Sequence, residues 1–181
     1  MKAHYIVSSA QRNDLMEERW DIYDINKNKT GRTMRRNDWT MAQGDYYLSV
    51  LGVIHRPDGR FLITQRVATK AWAPLWWEVP GGGVKSGESS FQAVCREVLE
   101  ETGIDVSNAE GGYRFCYHRD NPGQNYIVDI YRFEMDVKEE DLKLQTEEDN
   151  DARFATAEEI KAIADQGIFL HYNSIRKVFE D

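Results

Sequence analysis

Cysteine is scarce in this chain, and its scarcity excludes several kinds of protein. Only two cysteines, Cys95 and Cys116, occur among 181 residues. They form neither a CxxC pair nor a spacing typical of zinc ligands. A disulfide scaffold or a structural zinc site is therefore not predicted. We expect both residues to be reduced, partly buried thiols.

The sequence also has no apolar run approaching the roughly 20 residues that cross a bilayer. The first fifteen residues, MKAHYIVSSAQRNDL, lack the continuous apolar stretch of a signal peptide. A membrane protein is not expected, and the composition favours a cytoplasmic location. Residues 1–17 are predicted to be flexible or helical, with Met16 as an alternative start.

Basic residues are in deficit, with 23 Lys and Arg against 31 Asp and Glu, which gives a formal net charge of −8. A protein that grips bare nucleic acid needs a basic surface, so nucleic acid is not an expected partner. Small phosphorylated ligands are compatible with this charge because bound divalent cations can offset the repulsion. An acidic protein that handles phosphates should contain a cluster of carboxylates for metal.

What the chain does contain is enough apolar material for one core, with 41% hydrophobic and 12% aromatic residues. Its length suits a single domain with a short appendage. Residues 18–36 alternate apolar and polar residues around Trp20 and Ile22, which predicts a β-hairpin. We therefore divide the chain into a hairpin extension at 18–37 and a main domain at 38–181.

Five strands and three helices are predicted in the main domain. The strands are expected at 46–55, 60–66, 77–79, 112–118 and 126–137, and the helices at 89–102, 157–166 and 171–180. The turn sequence Pro57-Asp58-Gly59 separates the first two strands. This order favours a mixed sheet covered by helices on two sides.

The helix at 89–102 has clear boundaries in the sequence. Ser89 and Gln92 have the spacing of a capping box, and Gly103 is a typical C-terminal stop. Apolar residues recur at three- and four-residue steps and predict a buried stripe. These residues are Phe91, Val94, Cys95, Val98 and Leu99.

Three glutamates share one side of that helix. Glu97 lies three residues before Glu100 and four before Glu101, and like charges at this spacing cost about 0.2–0.5 kcal/mol per pair. Two of them lie near the helix C-terminus, where the dipole also disfavours anions. A hard divalent cation such as Mg²⁺ would offset this cost. Arg96, four residues before Glu100, can hold one carboxylate by a charge-assisted hydrogen bond.

Taken alone, the run REVLEE is better explained by a solvated surface helix. The longer segment 82–104 changes this because it resembles the Nudix box at every position. The matching residues are Gly82, Glu88, Arg96, Glu97, Val98, Glu100, Glu101, Gly103 and Ile104. We therefore interpret the segment as the box of a Nudix, or MutT-like, hydrolase.

The resemblance implies an α/β class fold, the Nudix α/β/α sandwich with a mixed sheet, here with an N-terminal β-hairpin extension. It implies that Glu97, Glu100 and Glu101 bind Mg²⁺, with Mn²⁺ as a possible substitute and the Gly82 carbonyl as a further ligand. Arg96 would orient a glutamate. The implied reaction is attack of water on phosphorus in a nucleoside diphosphate linked to another group, such as ADP-ribose, a nucleotide sugar or a (d)NTP.

A general base is predicted outside the box, in the acidic segment 144–154. Glu148 occupies the place where many relatives of this family have an extra glutamate above the metals. Glu147, Asp149 and Asp151 compete for the role, and an acidic surface loop is an equally good interpretation of the segment.

Residues 18–32 resemble the opening of Nudix proteins grouped with isopentenyl-diphosphate isomerase. That isomerase needs a cysteine before the box, where this chain has Trp76-Trp77-Glu78-Val79-Pro80. Neither Cys95 nor Cys116 is in that position, which disfavours isomerisation. A non-catalytic nucleotide sensor is a third hypothesis, although such proteins usually lose box glutamates.

Substrate-binding residues are expected beside the glycine loop. Trp72 and Trp76 can stack on a base, a contact that contributes about 1–3 kcal/mol, whereas Trp77 is expected to pack in the core. Arg66 is a candidate phosphate ligand. Further candidates with weaker support are Lys70, Lys85, Tyr117, His118 and Arg119. The hairpin edges allow a homodimer.

Overall fold

The structure is a computed structural model that describes residues 18–39, 41–121, 123–145 and 148–180. The predictions for residues 1–17 lie outside the described residues. The chain begins with the predicted hairpin, formed by the antiparallel strands β1 (Arg19–Tyr23) and β2 (Lys29–Arg35). Trp20, Ile22 and Met34 are buried in a small core of its own, against which Tyr47 packs.

Seven strands form the main sheet. They are β3 (Tyr47–His55), β4 (Phe61–Arg66), β5 (Trp77–Glu78), β6 (Gly81–Gly83), β7 (Glu110–Arg119), β8 (Tyr126–Glu134) and β9 (Asp149–Ala155). Strand β3 pairs parallel to β8 along its full length, and β7 continues the sheet antiparallel to β8. On its other side β3 pairs with β6 and, at one end, with β4, which β5 and β9 flank. The predicted mixed sheet is confirmed.

Alternation of side chains along β8 creates two cores, one on each face of the sheet. Ile127 and Phe133 point into the core under helix α1 (Ser90–Thr102). Val128 and Ile130 point into the opposite core. That second core is covered by helix α2 (Ala157–Asp165) and the C-terminal segment, so helices cover both faces as predicted.

Helix α1 has the predicted ends. The Ser89 side chain accepts a hydrogen bond from the Gln92 backbone, and Gly103 ends the helix in the left-handed conformation at φ 76°. The helix lies close against β3 at Gly52, where a Cβ atom would stand 2.5 Å from a methyl group of Val98. This close packing fixes the height of α1 above the sheet.

The predicted apolar stripe of α1 is partly wrong. Val94 and Val98 are fully buried, but Phe91 and Leu99 are exposed because they lie to either side of the contact with β3. Ala93 and Thr102 take part in the buried side instead.

The C-terminal segment also differs from the prediction of one helix at 171–180. A short helix α3 (Tyr172–Ile175) is followed by a 3₁₀ turn at Arg176–Phe179, and His171 precedes it at φ 58°. The last turn tightens because Val178 and Phe179 must both reach the core. No helix in the described part of the chain is both long and apolar enough to cross a membrane.

Candidate functional site

A cleft of about 340 Å³ opens where strand β6, helix α1 and the segment before β9 meet, and we call it the metal cleft. Gly82 forms its floor, and a Cβ atom there would stand 2.5 Å from the carboxylate of Glu97. The Ser49 hydroxyl donates to the Gly82 carbonyl at 2.8 Å. A side chain at this position would have to displace the Glu97 carboxylate, so glycine lets that carboxylate lie directly on the backbone.

Arg96 organises the box segment. Its Nε and Nη2 atoms each donate to the Glu88 carboxylate at 2.9 Å, and Nη2 also donates to the Gly83 carbonyl at 3.0 Å. The Glu88 carboxylate in turn accepts from the Lys85 backbone at 3.0 Å. These bonds tie the loop to the helix, and Glu88 braces the loop.

The remaining Arg96 nitrogen, Nη1, faces the predicted ligands. It lies 2.6 Å from Glu97 Oε1 and 3.3 Å from Glu100 Oε2. Burial raises the pKa of Glu97, and the Arg96 charge opposes this shift. The Glu100 side chain is 49% exposed. Arg96 therefore holds two of the three box carboxylates, one at the cleft wall and one at its rim.

Glu101 has a different environment. Its Oε2 accepts a hydrogen bond from the Gly81 backbone at 3.2 Å, and within the described residues it pairs with no Lys or Arg. Burial raises the pKa of Glu101 well above its usual value, and the charges of Asp149 and Glu97 add to the increase. A buried carboxylate without a cation is costly in the free protein.

Two further acids line the cleft: Asp149 on β9, one of the predicted rivals of Glu148, and Glu78 on β5, which no sequence pattern singled out. Burial raises the pKa of Asp149 to about 7, and its Oδ2 atom is buried without a hydrogen-bond partner in the described chain. Glu78 pairs with Arg66 at 3.0 Å. Asp149 reaches the cleft because it lies opposite Arg66 across an irregularity in the β4–β9 pairing.

Glu148, the predicted base, also lines the cleft and forms an ion pair with Lys70. Of its rivals, Asp149 lies in the cleft, Asp151 is exposed on β9 away from it, and Glu147 lies outside the described residues. The structure thus brings Glu148 to the box glutamates, while its catalytic role stays a prediction.

A second cavity of about 480 Å³ adjoins the metal cleft, and we call it the aromatic pocket. It lies on the sheet face opposite α1. Its walls include Tyr47, Ser49, Trp72, Tyr117, Arg119, Tyr126 and His171. Ser49 connects the two cavities because its hydroxyl bonds to Gly82 in the cleft. Arg66 also connects the two cavities, because it lines the metal cleft and its Cζ lies 5.5 Å from the ring centroid of Trp72 in the aromatic pocket.

The groups in the aromatic pocket are suited to a planar, polar-edged ligand. The Trp72 side chain is 60% exposed and offers an open ring face. The Tyr117 hydroxyl is buried with no hydrogen-bond partner among the described residues. Burial lowers the pKa of His171 to about 4, so its imidazole is neutral at pH 7.

Other sequence candidates lie elsewhere. Trp77 is buried in the core as expected, whereas Trp76 lines a separate depression beside α2 rather than the pocket of Trp72. His118 is exposed, with its side chain near Asp120. Cys95 is half-buried against the core under α1, as expected. Cys116 is exposed on β7, although a partly buried thiol was expected there.

The geometry can now be compared with known proteins. The NUDIX domain family matches residues 45–177. The chain belongs to the Nudix hydrolase family. An uncharacterised Nudix hydrolase of Listeria monocytogenes is 34% identical over 163 residues, which span 90% of this chain and 94% of that protein.

Two further similarities extend this assignment. The 8-oxo-dGTP diphosphatase of Haemophilus influenzae is 42% identical over 66 residues, 36% of this chain and 48% of that enzyme. The crystal structure of DR0079 from Deinococcus radiodurans superposes with a TM-score of 0.68 at 20% identity, covering 83% of this chain and 91% of that one. This last likeness concerns the fold and confirms the predicted α/β class.

As a Nudix hydrolase, the protein is a pyrophosphohydrolase. Members of the family use divalent metal ions and act on small nucleotide substrates. The Nudix resemblance of residues 82–104 is confirmed. The isomerase-like character of residues 18–32 and the homodimer stay predictions.

The metal cleft of this Nudix hydrolase fits a divalent cation in its chemistry. Seven carboxyl groups and five cationic side chains line it, so acids outnumber bases. All candidate ligands are oxygen atoms, which hard cations prefer. In the described part of the chain, no three such side chains yet converge as a closed ligand set. Arg96 Nη1 contacts both Glu97 and Glu100, so a bound cation would compete with it for these carboxylates.

Proposed function

We propose that this Nudix hydrolase uses Mg²⁺ to cleave the diphosphate linkage of a nucleoside diphosphate joined to another moiety. The substrate types are ADP-ribose, a nucleotide sugar or a (d)NTP. The observation that carries the proposal is the junction at Ser49, where an oxygen-lined acidic cleft meets an aromatic pocket. A ligand with phosphates at one end and a planar ring at the other matches this pair of cavities.

In the cleft, Glu97, Glu100 and Glu101 would hold the metal. The Gly82 carbonyl, which accepts from the Ser49 hydroxyl at 2.8 Å, would be a further ligand. When bound, Mg²⁺ supplies Lewis-acid stabilisation of phosphoryl oxygens and lowers the pKa of bound water. Arg96 keeps Glu97 in place through the 2.6 Å contact, so that this carboxylate is oriented before metal arrives.

On the substrate side, Arg66 and Trp72 support binding from the edge shared by both cavities. The guanidinium of Arg66 lies under the Trp72 ring and reaches the cleft, where it is paired with Glu78. Trp72 offers its exposed face to a base. At the far end of the pocket, Tyr117 and Arg119 offer hydrogen bonds to ring oxygen or nitrogen atoms. Trp76 is not used in this proposal.

Glu148 is proposed as the general base. It belongs to the cleft, and the ion pair with Lys70 leaves one of its oxygens free to accept a proton from water. Glu148→Gln should lower kcat by about 10²–10⁴-fold with little change in KM, since general-base catalysis contributes that much. The matched control is Asp151→Asn, an exposed acid of the same segment that should keep normal activity. A normal kcat in Glu148→Gln would exclude the assignment.

The proposed function is tested by measuring phosphate or nucleotide release from a panel of compounds, with and without Mg²⁺. The panel contains ADP-ribose, nucleotide sugars, dinucleoside polyphosphates and (d)NTPs. Metal-dependent release from a member is expected, and the products identify the bond that breaks. Metal-independent release would refute the Mg²⁺ role.

The same assay also tests two other functions, isomerisation and nucleotide sensing. Turnover of isopentenyl diphosphate would favour the isomerase, although neither cysteine lines the metal cleft or the aromatic pocket. Binding of a nucleotide without any product, in protein shown to hold metal, would favour a sensor. Silence toward all nucleotides with metal bound would direct the search to non-nucleotide diphosphates.

A further inference from the structure

The N-terminal hairpin reaches the metal cleft. Strand β2 ends at Arg35, and the next residue, Arg36, lines the cleft together with Glu18 from the start of β1. Two of the residues around the proposed diphosphate site therefore come from outside residues 45–177, the interval that matches the family.

The hairpin is fixed directly on the glycine loop. The backbone of Ser86 donates to the Arg19 carbonyl at 2.7 Å. The indole of Trp20 packs on Gly83 so closely that a Cβ atom there would stand 2.7 Å from the ring. Any displacement of the hairpin would open this contact, so the residues after β2 are held at a defined distance from the box.

Arg36 is positioned by this packing. Its backbone N–H donates to the Glu18 carbonyl at 2.8 Å, and its Cζ lies 5.8 Å from the Trp20 ring centroid. The side chain is 43% exposed, and its one ion pair within the described chain is a long 3.4 Å contact with Glu18. Most of its five N–H donors therefore stay available to a ligand.

The charge of Arg36 acts on both cavities. Burial raises the pKa of Tyr47 in the aromatic pocket to about 12, and Arg36 is the cation that opposes this shift. The geometry agrees, because the Trp20 ring beside Arg36 stacks on the Tyr47 ring with centroids 4.7 Å apart. Arg36 lines the metal cleft and Tyr47 lines the aromatic pocket, so Arg36 lies near their junction.

We propose that Arg36 binds the substrate phosphate nearest the aromatic group, so that the hairpin completes the active site of its own chain. The inference rests on the proposed function, since it needs a diphosphate that spans the two cavities. A guanidinium suits this task because it binds phosphate oxygens with two parallel hydrogen bonds and keeps its charge at all working pH values.

Three variants test this inference. Arg36→Gln removes the charge, Arg36→Lys keeps it without the planar fork, and Arg35→Gln removes a neighbouring exposed charge that does not line the cleft. Steady-state kinetics are measured on the best panel substrate with Mg²⁺. The expected KM rises about tenfold in Arg36→Gln and about threefold in Arg36→Lys, with kcat within twofold and Arg35→Gln unchanged.

A binding measurement separates this inference from the proposed function. Isothermal titration with inorganic pyrophosphate and Mg²⁺ should give about tenfold weaker binding to Arg36→Gln than to the parent protein or Arg35→Gln. If the parent protein binds pyrophosphate in this Arg36-dependent way but cleaves no nucleotide, the proposed function fails and the phosphate role stands.

Several outcomes would overturn the inference. One is a normal KM and normal pyrophosphate affinity in Arg36→Gln, in an enzyme that cleaves a panel member. Equal losses in Arg36→Gln and Arg35→Gln would indicate a general charge effect. A lower melting temperature with unchanged KM would show that Arg36 serves only to pack against Trp20 and Glu18.

Discussion

Two neighbouring regions of the molecule differ in whether their buried acids have cationic partners. In the first, where the hairpin meets the main domain, every acid considered has a cation. These pairs, which we call the hairpin interface, are Asp21–Lys29, Asp45–Arg32 and Asp129–Lys27. In the second, the metal cleft, Glu101 has no such partner among the described residues, and Asp149 has a buried oxygen without a hydrogen bond.

The directions of the pKa shifts express the same contrast. Burial by itself would raise the pKa of Asp21, but hydrogen bonds from Lys29 and Ser86 outweigh it and lower the pKa. Burial and neighbouring acids raise the pKa of Glu101. Ionised Asp21 and Asp45 therefore stabilise the fold at the hairpin interface, whereas ionised Glu101 destabilises it in the metal cleft. Under the proposed function, Glu101 is left without a protein cation because it serves a metal ion. Four experiments test this difference.

The largest expected effect is on catalysis. Glu101→Gln should lower metal-dependent turnover at least about a hundredfold, because it removes a metal ligand at a charge-stabilised transition state. The free energy of unfolding without metal should be unchanged or higher, since a neutral amide replaces a buried carboxyl group that is costly to ionise. Activity assays and urea unfolding measure the two quantities.

Glu110→Gln is the control for this variant, because Glu110 is exposed at the start of β7 and should be dispensable. Near-normal Mg²⁺-dependent activity in Glu101→Gln would show that the metals are elsewhere. A large loss of metal-free stability would show that the Glu101 carboxylate is a structural group, and the contrast with the hairpin interface would disappear.

The next effect concerns metal binding and stability. Because carboxyl groups outnumber cationic side chains in the cleft, Mg²⁺ should bind the folded state and stabilise it by about 2.7 kcal/mol at a hundred times its Kd. Thermal unfolding with and without Mg²⁺ measures this. The Asp21→Asn variant should keep the increase and Glu101→Gln should lose most of it. The reverse result would move the metal site to the hairpin interface.

A smaller effect is expected at the buried end of the hairpin. Asp129 is 1% exposed, and Lys27 Nζ bridges its two oxygens at 2.8 and 2.9 Å. Lys27→Met should lower the free energy of unfolding by about 2 kcal/mol, less than for a fully buried pair because Lys27 is 35% exposed. Urea unfolding measures the change.

Lys161→Met provides the comparison, since Lys161 pairs with Asp165 on the exposed face of α2 and should give no measurable change. Equal stability of Lys27→Met and the parent protein would mean that the cations of the hairpin interface do not stabilise it.

Much of this arrangement could be predicted from the sequence because its signals are local. The capping box at Ser89, the stop at Gly103 and the shared side of the box glutamates all depend on spacings within one helix. The wrong predictions for Phe91 and Leu99 have a different cause. The spacing of apolar residues predicts which side of a helix is buried, but it does not predict how much of that side the neighbouring strand will cover.

The rest of the site could not be predicted because it depends on distant pairing. Asp149 enters the cleft only through the irregular register of β9 against β4, and a shift of one residue would turn it to the other face. Arg36 reaches the cleft only because Trp20 docks on Gly83. Neither contact can be predicted from the spacing of residues along the sequence.

The smallest expected effect uses pH to separate the two kinds of acid. Asp21 has a lowered pKa in the folded state, so its stabilising contribution is complete above the ordinary value of 3.8 and is lost as the pH falls through the folded pKa. Asp21→Asn should therefore cost less than about 1 kcal/mol at pH 7, an allowance for solvent screening. Below about pH 4 the difference from the parent protein should shrink toward zero.

Urea unfolding at pH 7 and pH 3 measures this difference, with Asp165→Asn expected to match the parent at both. If the difference grew on acidification, the pKa of Asp21 would be raised in the folded state, as it is for Glu101 in the metal cleft. The distinction between the two regions would then be lost.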